Sequence, residues 1–201
     1  MKKLLKRVFA CFLLVCLVYA GALVLDRQKL QNELIRLHVV AASDSEEDQT
    51  IKLQVRDAVL ESLQEGLEDA TDIETARAYI ESQLPRLENV ANQVLAAAGC
   101  GDVATVRLQV EEFAARVYDT FSLPAGLYDS LRVTIGEGEG RNWWCVTFPT
   151  LCIPATTEGF EAVAAGAGFT DELTGTLTGE YEVRFYLLDL LGQLENFLHR
   201  Q

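Results

Sequence analysis

The residues with the most direct chemistry are two histidines, His38 and His199, and five cysteines, so most catalytic and metal arrangements can be tested by counting. Cys145 and Cys152 fall within Asn142-Trp143-Trp144-Cys145-Val146-Thr147-Phe148-Pro149-Thr150-Leu151-Cys152, eleven residues that also hold both tryptophans. Six residues separate the two thiols and Pro149 is one of them, so a turn brings the sulfurs within reach of a disulfide. A loop that short would stabilise by roughly 2 to 3 kcal/mol on the chain-entropy estimate. The alternative chemistry is nucleophilic, with a reduced Cys145 activated by His38 as base. Zinc is poorly supplied: there is no Cys-x-x-Cys, no His pair at helical spacing and no third soft ligand nearby, so neither a metal nor a cofactor is expected. Asp44 to Asp48 read as helix-capping, solvated carboxylates rather than general acids or bases. Asp57 beside Arg56 reads as a surface ion pair.

The compartment bears on the choice between disulfide and nucleophile. Lys2, Lys3, Lys6 and Arg7 precede an uncharged apolar run from Val8 to Leu25. Eighteen such residues are about the minimum for a spanning helix. Ala20-Gly21-Ala22 also offers small residues of the kind a signal peptidase cuts, so residues 1–25 read as signal peptide or membrane anchor, with both open. Basic residues stay inside, which places residues 26–201 outside the cytoplasm in either case, where disulfides form and persist. That exported part carries thirteen Lys and Arg against thirty Asp and Glu, a net −17. Such acidity argues against nucleic acid and anionic membrane surfaces. Cys100 is left odd, as a small residue in a turn or a free thiol.

The elements that must position these residues follow from periodicity. After a polar spacer at 26–33, Leu34 to Ala42 reads as a mostly apolar, central strand. Ser43 with Glu46 forms a capping box for a helix whose buried face is Ile51, Val55, Val59, Leu63 and Leu67. Thr71 with Glu74 starts a second helix through Ile80, Leu84, Leu87, Ala91 and Leu95, with a kink or break expected at Pro85. The period then changes to two. Val106, Leu108 and Val110 alternate with Arg107 and Gln109, while Leu131, Val133 and Ile135 alternate with Arg132 and Thr134. Ala115 to Phe121 reads as a strand between them. Gly136 to Gly140 reads as a hairpin loop into the Trp143 strand, and its two glutamates make it unfit to cradle a phosphate. Residues 156–178 read as an irregular segment, Glu180 to Phe185 as a strand, and Leu187, Leu188, Leu191, Leu194 and Leu198 as a final amphipathic helix.

In the aromatic strand, alternation puts Trp144, Val146 and Phe148 on one face and Trp143, Cys145 and Thr147 on the other. The first set reads as core, and the second leaves Trp143 as an aromatic anchor for a partner. The expected fold is a single α+β domain: a mostly antiparallel sheet packed by two N-terminal helices and a C-terminal helix, behind an N-terminal signal or membrane helix. One further reading is a cell-envelope hydrolase using His38 with Cys145 or a carboxylate. Another is a passive wall-binding module.

Several segments in order carry a family resemblance. Arg36-Leu37-His38-Val39-Val40-Ala41-Ala42-Ser43-Asp44-Ser45-Glu46-Glu47-Asp48-Gln49 and Lys52 to Leu60 come first. They are followed by Pro124-Ala125-Gly126-Leu127-Tyr128, Gly136 to Gly140, the Asn142 to Cys152 block and Glu182-Val183-Arg184-Phe185. Together they resemble the stage II sporulation protein R family; Ala42 stands where that pattern would have Asn or Asp. The resemblance implies a non-enzymatic signal of endospore-forming Firmicutes, secreted or membrane-anchored and facing the space between forespore and mother-cell membranes. Its implied partner is a membrane-embedded aspartic protease of the opposing membrane, which removes the pro-sequence of the mother-cell sigma factor, with no small-molecule substrate or nucleic acid involved. Contact with the membrane itself would run through the N-terminal segment if it is uncleaved. The residues expected at or near the partner surface are Trp143, Asn142, His38, Arg36 and Asp44, with Cys145 and Cys152 holding the loop.

Overall fold

A computed structural model describes residues 1–118, 121–149, 169–179 and 182–200. In chain order the elements are α1 (Lys2–Glu33), β1 (Ile35–Val40), α2 (Glu46–Glu68), α3 (Ile73–Ala97), β2 (Ala104–Phe113), β3 (Arg116–Val117), β4 (Ser122–Leu123), β5 (Gly126–Ile135), β6 (Asn142–Phe148), α4 (Asp171–Leu177) and α5 (Glu182–His199). The fold is α+β. Four strands form a sheet in the order β2-β5-β1-β6, with β1 parallel to β5 and the other two pairings antiparallel. β3 lies within the stretch read as one strand, and it pairs with β4, just beyond that stretch, in a separate small ribbon.

Every residue of β1 is buried, as its apolar run requires of a central strand. Its alternation divides the protein into two cores. Leu37 and Val39 pack with Leu131 and Val133 of β5 against the buried faces of α2 and α3. On the other side of the sheet, Phe113, Tyr128 and Val146 pack with Leu23 and Leu30 of α1, Leu173 and Leu177 of α4, and Leu188 of α5.

Several local expectations are displaced. The cap of α2 is Ser45, whose side chain accepts from the Asp48 amide at 3.1 Å; Ser43 instead hydrogen-bonds the Asp48 carboxylate and accepts from the Ser45 amide. Asp72, one residue after Thr71, caps α3 by accepting from Thr75 N at 2.8 Å. α3 runs through Pro85 without a break, and Pro85 lies on its exposed side. The Gly136 to Gly140 loop does not close a hairpin, since β1 lies between β5 and β6. Gly136 and Gly138 still turn the chain with φ of 57° and 68°, and the Gly140 amide donates to Ala41 O at 2.9 Å, tying the loop to the end of β1.

Glu182 to Phe185 form the first turn of α5 rather than a strand. Four residues of alternation are overridden because Arg184, Leu188, Gly192 and Asn196 recur every four residues on the inner side of a helix. Leu194 and Leu198, expected on that inner face, are exposed. Gly192 lets α5 touch the turn before β5, where a Cβ would overlap the Ala125 carbonyl oxygen. Within the segment read as irregular, α4 forms behind a Thr170 cap; residues 156–168 lie outside the described residues.

α1 is long and apolar enough to cross a membrane, and from Leu4 to Val18 its large apolar side chains are exposed. It continues past Leu25 as one helix, so the expected spacer does not exist. Leu30 is fully buried, Asp26 pairs with Arg184, and Gln31 Nε2 donates to Glu195 at 2.7 Å beside the Arg27–Glu195 pair. Residues 26–33 therefore belong to the domain's second core. Leu30→Ala is expected to lower unfolding stability of the chain in mild detergent by about 3 kcal/mol. Unchanged denaturant stability would mean that α1 is only a tether.

Candidate functional site

The second side of β1 carries two basic residues, Arg36 and His38, where a strand of this burial ordinarily carries apolar ones. His38 is 4% exposed. Its Nε2 lies 2.7 Å from Asn142 Oδ1 on β6, and its Nδ1 lies 3.2 Å from Glu111 Oε2 on β2. Its ring stacks on Trp144 at 3.6 Å between centroids, with Phe113 edge-on at 6.3 Å. Both ring nitrogens are thus engaged and one ring face is covered.

Glu111 collects the other polar groups of this face. Its Oε1 accepts from Arg132 Nη1 at 2.6 Å and from Gln109 Nε2 at 3.2 Å. Burial pushes the Glu111 carboxyl up, but hydrogen bonding from His38 and Arg132 helps outweigh it and holds the group down to about 2. A carboxylate so held stays ionised in any neutral compartment. Arg132 also donates from Nε to Thr134 Oγ1 at 3.1 Å, extending the network along β5.

Arg36 is fully buried. Its guanidinium lies 3.9 Å from the Phe113 ring centroid and 5.0 Å from that of Tyr128, and Nη2 donates to the Tyr118 hydroxyl at 2.8 Å. Among the described residues, Nε and Nη1 find no hydrogen-bond partner. Burial lowers its pKa, partly offset by Tyr118 and Tyr128. The expectation of a surface or near-surface role therefore fails for Arg36 and His38. Alternation along β1 points both side chains onto the sheet face shared with Phe113, Tyr128 and Trp144, where they are covered.

The other three expected partner residues do reach the surface, around the start of β6. Trp143 is 37% exposed, with the Arg56 guanidinium 4.3 Å above its ring. Arg56 is held in turn by Asp57, whose Oδ1 accepts from Arg56 Nε at 2.7 Å. Such a cation–π contact contributes roughly 0.5 to 1 kcal/mol at an exposed site. Asn142 is exposed and meets His38 below. Asp44 accepts from the Arg141 amide at 2.7 Å, while Lys52 Nζ donates to the Arg141 carbonyl at 2.9 Å. Burial lowers the Lys52 pKa, with Arg141 adding to the effect. Asp44, Asn142 and Trp143 are thereby brought to one rim, fastened to α2.

Cys145 stands opposite Leu37 and packs in the core beneath α2 and α3, the side of the sheet away from His38. The Cys145–His38 pair of the nucleophilic alternative is not formed. Cys145 is disulfide-bonded, whereas Cys11, Cys16 and Cys100 are free; Cys152 lies outside the described residues. The alternation read for β6 holds for Trp144 and Val146 but shifts at Thr147. There the register with β1 slips, so Phe148 joins the α2–α3 core with Cys145.

Glu111, Arg132, Trp144 and Arg56 were not singled out by the sequence reading as site residues. The alternation of polar residues along β2 and β5 was the available signal. It lacked the register that sets Glu111 and Arg132 against His38.

Apolar helix, two-sided sheet and polar face define an α+β domain behind an N-terminal helix of the kind that serves as signal or membrane anchor. The model of the stage II sporulation protein R family matches residues 31–158. The chain belongs to that family. It is 37% identical over 134 residues to the stage II sporulation protein R of Bacillus subtilis (strain 168), a match covering 67% of this chain and 59% of that relative. No solved structure matches it.

The depressed Glu111 pKa fixes the sign of a pH effect. A carboxylate held below its ordinary value of 4.5 stabilises the fold above that pH and loses the contribution as pH falls towards about 2. Glu111→Gln is expected to cost roughly 2 kcal/mol at neutral pH and to flatten the decline in stability on acidification. Urea unfolding at neutral and acidic pH measures both effects, and an unchanged pH profile would remove Glu111 as the source.

Proposed function

We propose that this chain is an intercellular sporulation signal, exported from the forespore, that activates by contact a membrane-embedded aspartic protease of the opposing membrane. The protease would then remove the pro-sequence of the mother-cell sigma factor. Family membership supports the sporulation role, and the N-terminal apolar helix fits delivery to the space between the two membranes. The observation that carries the contact surface is the Trp143 rim, an aromatic ring exposed on one side and backed by Arg56, with Asn142 and Asp44 beside it. Arg36 and His38 serve this surface from beneath, positioning β6 without touching the partner. Cys145 pairs with Cys152 and closes the segment after β6.

The hydrolase reading keeps one feature, the His38–Glu111 pair. It is disfavoured because His38 has no ring nitrogen left to exchange a proton with a substrate.

In a spore-forming host deprived of its own family member, Trp143→Ala should leave sigma-factor precursor unprocessed on immunoblots, while the purified variant keeps the parental melting curve. An unfolded variant would place Trp143 in the core, and normal processing would move the contact surface elsewhere. Non-reducing peptide mapping should recover Cys145 and Cys152 in one linked fragment. Free thiols at both positions would overturn the pairing.

A further inference from the structure

The side of the sheet that holds His38 is covered at one end by α1, α4 and α5 and is open at the other. At the open end Thr105, Arg107 and Gln109 of β2 and Arg132 and Thr134 of β5 line a cleft of about 240 Å³. Every lining side chain is polar. Arg107 and Arg132 are direct cross-strand partners. Residues so placed have Cβ atoms about 5 Å apart, and like charges there are destabilising.

Arg132 is partly neutralised by Glu111. Arg107 is exposed and, among the described residues, has no ion-pair partner. Two guanidiniums and one ionised carboxylate leave the cleft with one positive charge in excess, set in a domain whose exported part is strongly acidic. One monoanion would balance that charge and relieve the repulsion. The cleft already shows which anion suits it: Glu111 is a carboxylate bound by an arginine and an amide, and the Arg107 half lacks its counterpart.

We propose that this cleft is a carboxylate-binding site, which takes an Asp or Glu side chain from an acidic peptide segment of a partner protein. Arg107 supplies the fork that meets the carboxylate. Arg132, Thr105 and Thr134 offer further donors along the two strands, and Glu111 keeps the site from attracting more highly charged anions. The site lies on the His38 side of the sheet, whereas Trp143 pairs with Val39 and leans towards α2 on the other. It therefore does not rest on the signalling contact proposed above, and either can fail alone.

The test titrates the full chain, in a non-ionic detergent, with a short capped peptide of alternating alanine and glutamate, following the arginine Nε–H resonances by NMR. The same titration is run with the glutamine counterpart and with inorganic phosphate. The glutamate peptide should shift the Arg107 and Arg132 signals saturably, the glutamine peptide should not, and phosphate should bind more weakly. Arg107→Gln should weaken the peptide about tenfold, as expected for loss of one charged hydrogen-bonding pair. Its melting temperature should be equal to or above the parent's, because a repulsion is removed. Arg107→Lys should retain part of the binding. Equal binding of the glutamine peptide, tighter binding of phosphate, or undiminished binding by Arg107→Gln at retained stability would each overturn the proposal. So would unshifted arginine signals with the glutamate peptide.

Discussion

The structure depends on how β1 accommodates two basic side chains inside a sheet buried on both sides. Arg36 bears the heavier constraint, because a guanidinium removed from water loses hydration that neutral neighbours only partly replace. Its surroundings are built to limit that loss. Phe113 and Tyr128 present ring faces, and the Tyr118 hydroxyl accepts one donor. Tyr128 remains a neutral phenol, because burial pushes its pKa up to about 12 despite the nearby guanidinium. The cage draws on β1, β2, β3 to β4 and β5 at once. Strand order, the small ribbon and the close approach of α5 are coupled through one charge.

His38 solves the same problem differently, two residues further along β1. It uses formal hydrogen-bond partners from β2 and β6, and Glu111 and Asn142 reach it only if β2, β5, β1 and β6 keep their register. A slip of one residue would exchange Arg36 and His38 for Leu37 and Val39 and turn both cores inside out. The polar network and the α2–α3 core therefore specify the same arrangement from opposite sides of the sheet. Beyond the network, β6 carries Asn142 and Trp143 out to the rim, so the surface proposed for signalling inherits its position from buried polar contacts.

How far this was legible in the sequence depends on whether a feature is local. The central strand, the buried faces of α2 and α3, and the alternation of β5 follow from period and composition, and the structure has them; on β2 the alternation holds at Val106 but Val110 is exposed. Asn142 and Trp143 stand out because aromatic and cysteine residues crowd that stretch, whereas Asp44 reads locally only as a helix-capping carboxylate. The failures that bear on the site are relational. Gly136 to Gly140 has the composition of a hairpin loop, but nothing in it tells that β1 separates the two strands it joins. Alternation over β6 cannot foresee the bulge at Thr147, and a strand's hydrophobic pattern cannot reveal that Arg36 will be enclosed by rings from three other elements.

The coverage of the sheet explains why charge collects where it does. α5 lies close against the turn before β5, where Gly192 permits contact and Asn196 donates to the Phe113 carbonyl at 3.0 Å. The burial of β2 runs accordingly, from enclosed Phe113 at that end to exposed Thr105 and Arg107 at the other. A bare sheet face must be polar to remain in solvent, and this one is polar with arginines although acidic residues dominate the chain. Carboxylates spread over the rest of the domain repel an acidic partner in most orientations, so the cationic cleft selects the orientation as well as the ligand.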